Sequence, residues 1–189
     1  MKIFDINGRD SINFSNIIYS LCNTSKKNLN LIYLGYNLGD EVVPFIIRTP
    51  QLQIFSFNKI DFECFSYELL LSLSEDDGII GDFFKDLENV IINYLRDNFI
   101  NSHDQIFKSL IKELVDENNK STNVIKLKLL SRSNIKTYLY DTDSNIISPT
   151  NLNIYDKVKT VIQIVAIWRK ENVFGIYIRP HQIKKSNNK

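Results

Sequence analysis

The chain has 189 residues, of which 43% are hydrophobic and 12% aromatic, so it has enough apolar material for a sizeable core and is not a disordered chain. Its formal net charge is only +1, but the charge is unevenly distributed. Residues 1–118 carry 10 Lys and Arg against 18 Asp and Glu, a net −8, whereas residues 119–189 carry 13 against 4, a net +9. This division favours an anionic partner for the last third of the chain; an acidic face that balances a basic one is the simpler alternative.

The cysteine content and the start of the chain indicate where the protein resides. Cys22 and Cys64 are too few for the disulfide framework of a secreted protein, which indicates free thiols. The opening residues lack the apolar run of a signal peptide, and no stretch approaches the ~20 apolar residues that span a membrane. We therefore expect a soluble, intracellular protein that does not associate with a membrane.

The first part of the chain is patterned mainly for strands. Residues 12–19 fit either a strand or a short helix. Alternating apolar residues and turn residues then predict four strands, at 29–36, 41–48, 51–57 and 63–73. Pro44 lies inside the second of these and predicts an edge strand or a bulge, because proline cannot donate to the ladder.

The apolar period changes near residue 79. Apolar residues between Phe83 and Leu95 recur at helical spacing and predict one helix. A second helix is predicted after a Ser102 or Asp104 cap. Its apolar face would consist of Ile106, Phe107, Leu110, Ile111 and Leu114. Together the two helices would form a helical insertion over about residues 79–117.

The last third returns to strand patterns, which predict strands at 124–130, 135–140, 160–169 and 173–179, the last two forming a hairpin. Residues 186–189 form a polar, basic tail. The order of elements predicts a single domain over residues 1–185, mainly β with inserted helices. An OB-fold-like Greek-key β-barrel fits this order best, with a split α+β sheet as the alternative.

Catalytic patterns are scarce. His103 and His181 are the only histidines, no His/Cys cluster has zinc spacing, and neither of the common glycine-rich phosphate-binding motifs is present. The acidic residues 75–77 with Asp82 can be interpreted as a divalent-ion site, although a turn between strand and helix explains them more simply. We therefore predict a protein that is not an enzyme and that has no metal and no cofactor.

Basic and aromatic residues on the strands supply candidate contacts for nucleic acid. Lys126 and Lys128 project from one face of their strand and leave Ile125, Leu127 and Leu129 on the other. The predicted nucleic-acid-binding residues are Tyr36, Arg48, Lys126, Lys128, Arg132, Lys136, Tyr138, Lys157, Lys159, Trp168, Arg169, Lys170 and Arg179. Taken singly, each lysine is better explained by a solvated surface.

The aromatic residues on predicted strands divide into core and stacking candidates. The rings considered are Tyr33, Tyr36, Phe55, Tyr138, Tyr140, Trp168 and Tyr177. Tyr138 and Tyr36 are preferred for stacking because they lie near turns and polar neighbours. Trp168 shares its strand face with Ile162, Ile164 and Ala166, so the pattern favours burial of its indole.

Several short segments together carry a resemblance to a family. They are residues 46–50 (Ile-Ile-Arg-Thr-Pro), 125–128 (Ile-Lys-Leu-Lys), 138–141 (Tyr-Leu-Tyr-Asp), 164–169 (Ile-Val-Ala-Ile-Trp-Arg) and the Phe174-Gly175 pair. With the strand-then-helix block between them, they resemble the single-stranded-DNA-binding proteins of large nucleocytoplasmic DNA viruses. Those are similar in turn to the replication single-strand-binding proteins of podophages, which are OB-folds. The resemblance covers about residues 28–185.

The resemblance implies a non-catalytic barrel that coats single-stranded DNA in replication or repair, in viral replication sites of the cytoplasm or in the host nucleus. Replication proteins are then expected as partners, and homo-oligomerisation is left open. Two features depart from the family. The phage relatives end in an acidic tail, whereas this chain ends in a basic one, and Tyr177 stands near where some relatives carry a second tryptophan.

Two other functional classes are alternatives to single-stranded DNA binding. A viral structural or transcription-accessory protein would use the same basic face to bind an acidic protein. A small nuclease or phosphotransferase would need clustered carboxylates, whereas the acidic residues are dispersed over the N-terminal part. Single-stranded DNA binding is the function that the sequence favours.

Overall fold

The computed structural model describes residues 2–6, 12–22, 30–62, 65–73, 78–99, 105–115, 119–131 and 136–186. Within these residues the chain is mainly β, with a single α-helix, α1 (Gly78–Phe99). The strands are β1 (Phe4–Asp5), β2 (Ile17–Cys22), β3 (Asn30–Asn37), β4 (Val42–Pro44), β5 (Ile46–Arg48), β6 (Leu52–Phe62), β7 (Phe65–Ser72), β8 (Ile106–Lys108), β9 (Ile111–Val115), β10 (Ser121–Leu130), β11 (Tyr138–Tyr140), β12 (Lys157–Lys170) and β13 (Val173–Lys185).

The thirteen strands found in these residues form one sheet that curls into a half-barrel. The main path of the sheet runs β1–β5–β12–β6–β7–β10–β9. β13 pairs along the other edge of β12 and carries β11 and β8 on its outer edge. β2, β3 and β4 form a meander that joins the sheet through β3. The prediction of a mainly β, barrel-like chain is therefore confirmed at this level.

The β12–β13 hairpin is the centre of the sheet. The edge of β12 that faces away from β13 serves three strands, because its start pairs with β6, its middle with β5 and its end with β3. The register between β12 and β13 shifts between Val161 and Ile162 and again between Ile164 and Ala166. Such bulges bend and twist a strand, which allows one strand to follow a curled sheet past three neighbours.

The two ends of the half-barrel approach each other where β10 runs beside β13. The Thr137 hydroxyl accepts a hydrogen bond from the Leu130 N–H at 3.0 Å and donates to the Pro180 carbonyl at 2.9 Å. The Thr137 N–H also donates to the Leu130 carbonyl at 3.0 Å. Thr137 is buried, so one side chain connects the end of β10 to β13. We call this junction the seam.

The helix packs its apolar face into the core, as its sequence predicts. Phe84, Leu87 and Ile91 are fully buried in the main hydrophobic cluster. Tyr94 stacks on Tyr19 of β2, with ring centroids 3.5 Å apart and planes 7° from parallel. These contacts fix α1 against the β2–β3 part of the sheet, and the prediction of a helix here is confirmed.

The prediction of a second helix is wrong. Residues 106–108 form β8, which pairs in parallel with the start of β13, and residues 111–115 form β9, which pairs antiparallel with β10. Ile106, on the predicted apolar face, is 56% exposed. Apolar spacing over ten residues is compatible with both helix and strand, and pairing with neighbouring strands outweighs weak helical propensity. The predicted insertion over residues 79–117 is thus helical only as far as Phe99 among the described residues.

Most predicted strands are present, with shifted ends. Residues 12–19 contain a 3-10 turn at Phe14–Asn16 followed by β2, so both alternatives hold in part. The strand predicted at 41–48 is divided into β4, which pairs with β3, and β5, which pairs with β12 and β1. β4 has no second partner in the described residues and Pro44 is exposed, as expected for proline on an edge strand.

Within the part of the chain that the structure describes, no helix combines the length and the apolar character needed to cross a membrane.

Candidate nucleic-acid interface

A cleft of about 630 Å³ lies along the seam between β10 and β13. The β8–β9 segment, β10 and the β12–β13 hairpin all contribute to its lining. Its basic and aromatic lining residues are Lys108, Lys112, Lys126, Lys128, Trp168 and Tyr177. No carboxylate is among the lining residues in the described part of the chain. The cleft therefore combines positive charge with aromatic surface.

Two of the lysines come from one face of β10. Ile125, Leu127 and Leu129 are buried on the inner side of the sheet, and Lys126 and Lys128 alternate with them on the outer side, so the predicted shared face is confirmed. Lys126 Nζ lies 2.8 Å from a carboxylate oxygen of Glu68 on β7, which offsets part of its charge. Lys128 is exposed, directly opposite Glu68 in the strand register.

The other two lysines are held in place by α1. Lys108 and Lys112 lie on either side of a turn at Ser109 and Leu110. Glu88 of α1 accepts hydrogen bonds from the Ser109 hydroxyl, 2.9 and 3.0 Å from its two oxygens, and from the Leu110 N–H. Glu88 is only 8% exposed, and a buried carboxylate is tolerated only when it is well hydrogen-bonded. This contact fixes the turn, and with it both lysines, at the cleft.

Trp168 rests against a glycine of the neighbouring strand. It is paired with Gly175 across the hairpin and is half-buried. A Cβ atom at Gly175 would lie 2.5–2.8 Å from three indole atoms, closer than any real contact allows. Gly175 therefore makes room for the indole. The predicted burial of Trp168 holds for only part of the ring, and the remainder lines the cleft.

Two exposed tyrosines share the outer face with Trp168. Tyr33 on β3 and Tyr177 on β13 are both paired with Ala166 of β12, so the three residues form one cross-strand row. Tyr33 is 42% exposed and Tyr177 36%, whereas Ala166, the only alanine in the chain, is buried between them. Exposed rings on a sheet face provide the surface on which bases stack.

Tyr36 does not belong to this interface. Only 3% of it is exposed, its ring packs 4.5 Å from Phe4 and 5.3 Å from Phe45, and its hydroxyl accepts a hydrogen bond from the Asn13 N–H at 3.0 Å. The prediction that Tyr36 stacks on a base is wrong. Its position close to a turn suggested an exposed ring, whereas the side chain points from β3 into the core.

Other predicted residues lie farther along the same face of the hairpin. Arg48 is paired with Val161, Lys159 with Lys184, and Tyr138 with Gln182, positions that share the face of Tyr177 once the two register shifts are counted. Arg48 Nη1 lies 3.9 Å from an Asp5 carboxylate oxygen, and Tyr138 is 43% exposed. Lys136 and Lys157 are also exposed near these strands. None of these residues lines the cleft.

The remaining predicted residues of the hairpin differ in their exposure. Arg169 is half-buried, with its Nε donating to the Glu171 carbonyl at 3.1 Å and its guanidinium 5.3 Å from the Phe174 ring. Lys170 is exposed at the turn. Arg179 is half-buried and bonded to Gln163. Arg132 lies outside the described residues.

Sequence reasoning missed Lys108 and Lys112 as candidate interface residues. The sequence pattern around them predicts a helix, on which the two lysines would point in different directions. In the structure, pairing of β8 and β9 with neighbouring strands places both lysines at the cleft. Tyr33 and Tyr177 were recognised as strand aromatics, but the sequence alone does not reveal that Ala166 stands between them. The cross-strand register was the missing information.

Only some of the candidate residues for metal binding and acid–base chemistry lie in the described part of the chain. His103, Cys64 and residues 75–77 lie outside the described residues. In the part that is described, no three His, Cys, Asp or Glu side chains come together as a metal site. The pKa of His181 is lowered by burial and by the nearby positive charge of Arg179.

No protein-family model matches the chain, and no curated protein matches its sequence.

Proposed function

We propose that this chain is a non-catalytic single-stranded DNA-binding protein whose primary contact surface is the cleft beside the seam. The observation that carries the proposal is the convergence of four lysines and two aromatic residues on a cleft that no carboxylate of the described residues lines. The lysines come from two separated segments of the chain, so their convergence is a property of the fold.

This combination suits single strands for a physical reason. Lysines that neutralise phosphates release condensed counterions, which supplies affinity without sequence preference. Unpaired bases expose their faces and stack on aromatic rings, at about 1–3 kcal/mol per base. Trp168 and Tyr177 provide such rings inside the cleft, and Tyr33 extends the aromatic surface beside it.

The strand would leave the cleft along the outer face of the β12–β13 hairpin. From Gly175 to Lys184, β13 extends over roughly 30 Å at about 3.3 Å per residue. Along this length the predicted residues Arg179, Arg48 and Lys159 continue the positive charge, with Tyr138 as an exposed ring. This path accommodates a site of several nucleotides, in the range of about 4–16 for one OB domain.

An OB-type barrel is part of the proposal. Four strands lie side by side in the order β12–β6–β7–β10. The last of them in the chain, β12, lies beside the first, β6, which matches the 4-1-2-3 order of a Greek key. Single-strand binding on such a barrel would place the protein in DNA replication or repair, in line with the resemblance to viral single-stranded-DNA-binding proteins. The acidic N-terminal part would then face replication partners.

The direct test is fluorescence-anisotropy titration of a labelled oligo-dT of ~30 nucleotides at two salt concentrations, with duplex DNA as competitor. Salt-sensitive binding that duplex fails to displace is expected. Absence of binding at low salt would contradict the proposal. The basic face would then be assigned to an acidic protein partner, which salt-sensitive capture of such a protein would identify.

A pair of lysine variants locates the interface. Lys112→Ala with Lys128→Ala should weaken binding and reduce the slope of log affinity against log salt by about 1.4, since each single-strand phosphate contact contributes about 0.7. The matched control is Lys59→Ala with Lys85→Ala. It removes the same charge from β6 and α1 positions that do not line the cleft. Equal slopes for the two double variants would exclude the cleft.

A further inference from the structure

A polar cluster on the outer face of the hairpin lies outside the cleft. Gln163 of β12 is paired with Arg179 of β13, and its Oε1 accepts hydrogen bonds from Arg179 Nη2 and from His181 Nε2, the latter at 3.0 Å. All three side chains are half-buried. His181 follows Arg179 by two residues along β13 and therefore lies on the same face; at the register shift it has no paired residue on β12.

Within the described part of the chain, the guanidinium of Arg179 has no counter-charge. No carboxylate of the described residues lies within 4 Å of it, and its Nε is buried without a hydrogen-bond partner there. Partial removal of a cation from water is costly unless an anion compensates it. Gln163 orients the guanidinium but supplies no charge, so among the described residues the positive charge of the cluster is uncompensated.

The neighbouring strands add positive charge to this region. The next paired rows along the hairpin place Arg48 of β5 opposite Val161, and Lys159 opposite Lys184. Acidic side chains near these rows in the described residues are Asp5, which contacts Arg48 at 3.9 Å, and Asp141, which lies close enough to Lys184 to feel its charge. Burial and the charge of Arg179 lower the pKa of His181, so its imidazole is mainly neutral at neutral pH and gains a proton more readily when an anion arrives.

We propose that Arg179, His181 and Gln163 form a binding site for a phosphate-type oxyanion. The guanidinium supplies charge and directed N–H donors, Gln163 fixes its orientation, and the imidazole supplies a second cationic group once it is protonated. The oxyanion is either free phosphate or a phosphodiester of a bound strand. The site is argued from its own geometry and does not depend on the proposed function.

The imidazole resonances of the intact protein report on this site. The chain has two histidines, so a His181→Gln variant assigns the His181 signal and leaves His103 as an internal reference. Titration with inorganic phosphate should shift the His181 signal saturably and raise its pKa, whereas chloride at matched ionic strength should not. Identical responses to the two salts would overturn the proposal.

Two substitutions connect the response to the cluster. Arg179→Gln removes the charge and should abolish the phosphate-dependent shift of His181. Gln163→Glu is nearly isosteric and supplies an internal carboxylate, so the folded variant should show a raised His181 pKa already without phosphate and no further response. A Gln163→Glu variant that responds to phosphate like the wild type would contradict the site, even if Arg179→Gln does not fold.

Oligonucleotides distinguish the two sources of the oxyanion. A phosphodiester oligo-dT that shifts the His181 signal, when an uncharged methylphosphonate oligomer does not, would identify the strand backbone as the ligand. A response to inorganic phosphate in a protein that binds no oligonucleotide would support this site and reject single-strand binding. If neither ligand produces an Arg179-dependent shift, the site itself is rejected.

Discussion

At the level of single residues, small side chains decide where the large rings of the candidate interface lie. Gly175 makes room for the indole of Trp168, and Ala166 separates the exposed rings of Tyr33 and Tyr177. In both cases the position of the ring depends on a residue of another strand. The sequence shows where these rings stand in the chain, but it does not show which residues of the neighbouring strands surround them.

Gly175→Ala should destabilise the protein by about 1–3 kcal/mol, because the new methyl group overlaps the indole. The emission of Trp168, the only tryptophan, should change as its ring is displaced. Urea unfolding followed by this fluorescence measures both effects. Gly81→Ala in α1 is the control, since a Cβ there meets nothing within 4 Å and should be neutral or stabilising. If the two variants have equal free energies of unfolding, the indole moves aside without destabilising the protein, and the prediction is wrong.

The stacked pair Tyr19 and Tyr94 predicts a loss of stability at alkaline pH. Burial, and to a lesser extent Tyr94, raises the pKa of Tyr19 to about 12. A tyrosine in the unfolded chain ionises near 10, so between about pH 10 and 12 the folded state binds more protons and its stability falls as pH rises. Below about pH 10 this group has no effect on the pH dependence.

Urea unfolding at a pH below 10 and at a pH near 11 should therefore show the decrease in the wild type, and a smaller one in Tyr19→Phe. Tyr138→Phe serves as the control, because the Tyr138 ring stacks on no other ring among the described residues. An equal decrease in Tyr19→Phe and wild type would assign the alkaline transition to other groups.

At the scale of elements, the contacts between strands rest on a few buried polar groups. Thr137 connects β10 to β13 at the seam, and Glu88 connects α1 to the β8–β9 turn. Both side chains stand in segments whose apolar pattern gave no reason to single them out. Their importance follows from backbone groups contributed by distant strands.

Thr137→Val keeps the shape of the side chain but leaves the Leu130 N–H and the Pro180 carbonyl without their partner. We expect a loss of about 1–3 kcal/mol in the free energy of unfolding. Thr137→Ser retains the hydroxyl and should recover most of that loss. Chemical denaturation of the three proteins measures the difference, and a valine variant as stable as the serine variant would mean that water replaces the hydroxyl.

Glu88→Gln replaces a doubly accepting carboxylate by an amide that can satisfy only part of the Ser109–Leu110 turn. Loss of charge-assisted hydrogen bonds should cost about 1.5–3 kcal/mol, and the Leu110 amide should exchange faster. Because the turn carries Lys108 and Lys112, affinity for oligo-dT should fall as well. Asp86→Asn, an exposed carboxylate on the same helix, is the control. Unchanged Leu110 exchange in Glu88→Gln would show that the turn is held by strand pairing alone.

Local patterns predicted elements well when they were long, and poorly when they were short. The apolar period of α1 extends over more than three turns and identifies the helix, whereas the short segment of residues 106–115 that contains β8 and β9 fits either period. The final hairpin was predictable because its two strands alternate on both sides of a polar turn. β12 ends up among three strands from the first third of the chain, which no local pattern indicates.

At the scale of the whole molecule, the division of charge along the sequence corresponds only partly to a division in space. The basic cleft takes Lys126 and Lys128 from the positive part, but it takes Lys108 and Lys112 from the segment with a net −8. Glu68, also from the acidic part, pairs with Lys126 at 2.8 Å. The uneven charge of the sequence predicts an anionic partner, and this stays a prediction. Which lysines line the cleft follows only from the fold.

The position of β12 has a consequence for how the chain reaches its folded state. The buried hydroxyls of Thr49 and Thr160, 3.0 Å apart, join residues that are 111 positions apart in the sequence. Strands β3, β5 and β6 have no common neighbour until β12 has been synthesised, and closure of such long loops is entropically slow. During synthesis the edges of β3, β5 and β6 that pair with β12 consequently stay unpaired until β12 has emerged, and such exposed edges favour aggregation.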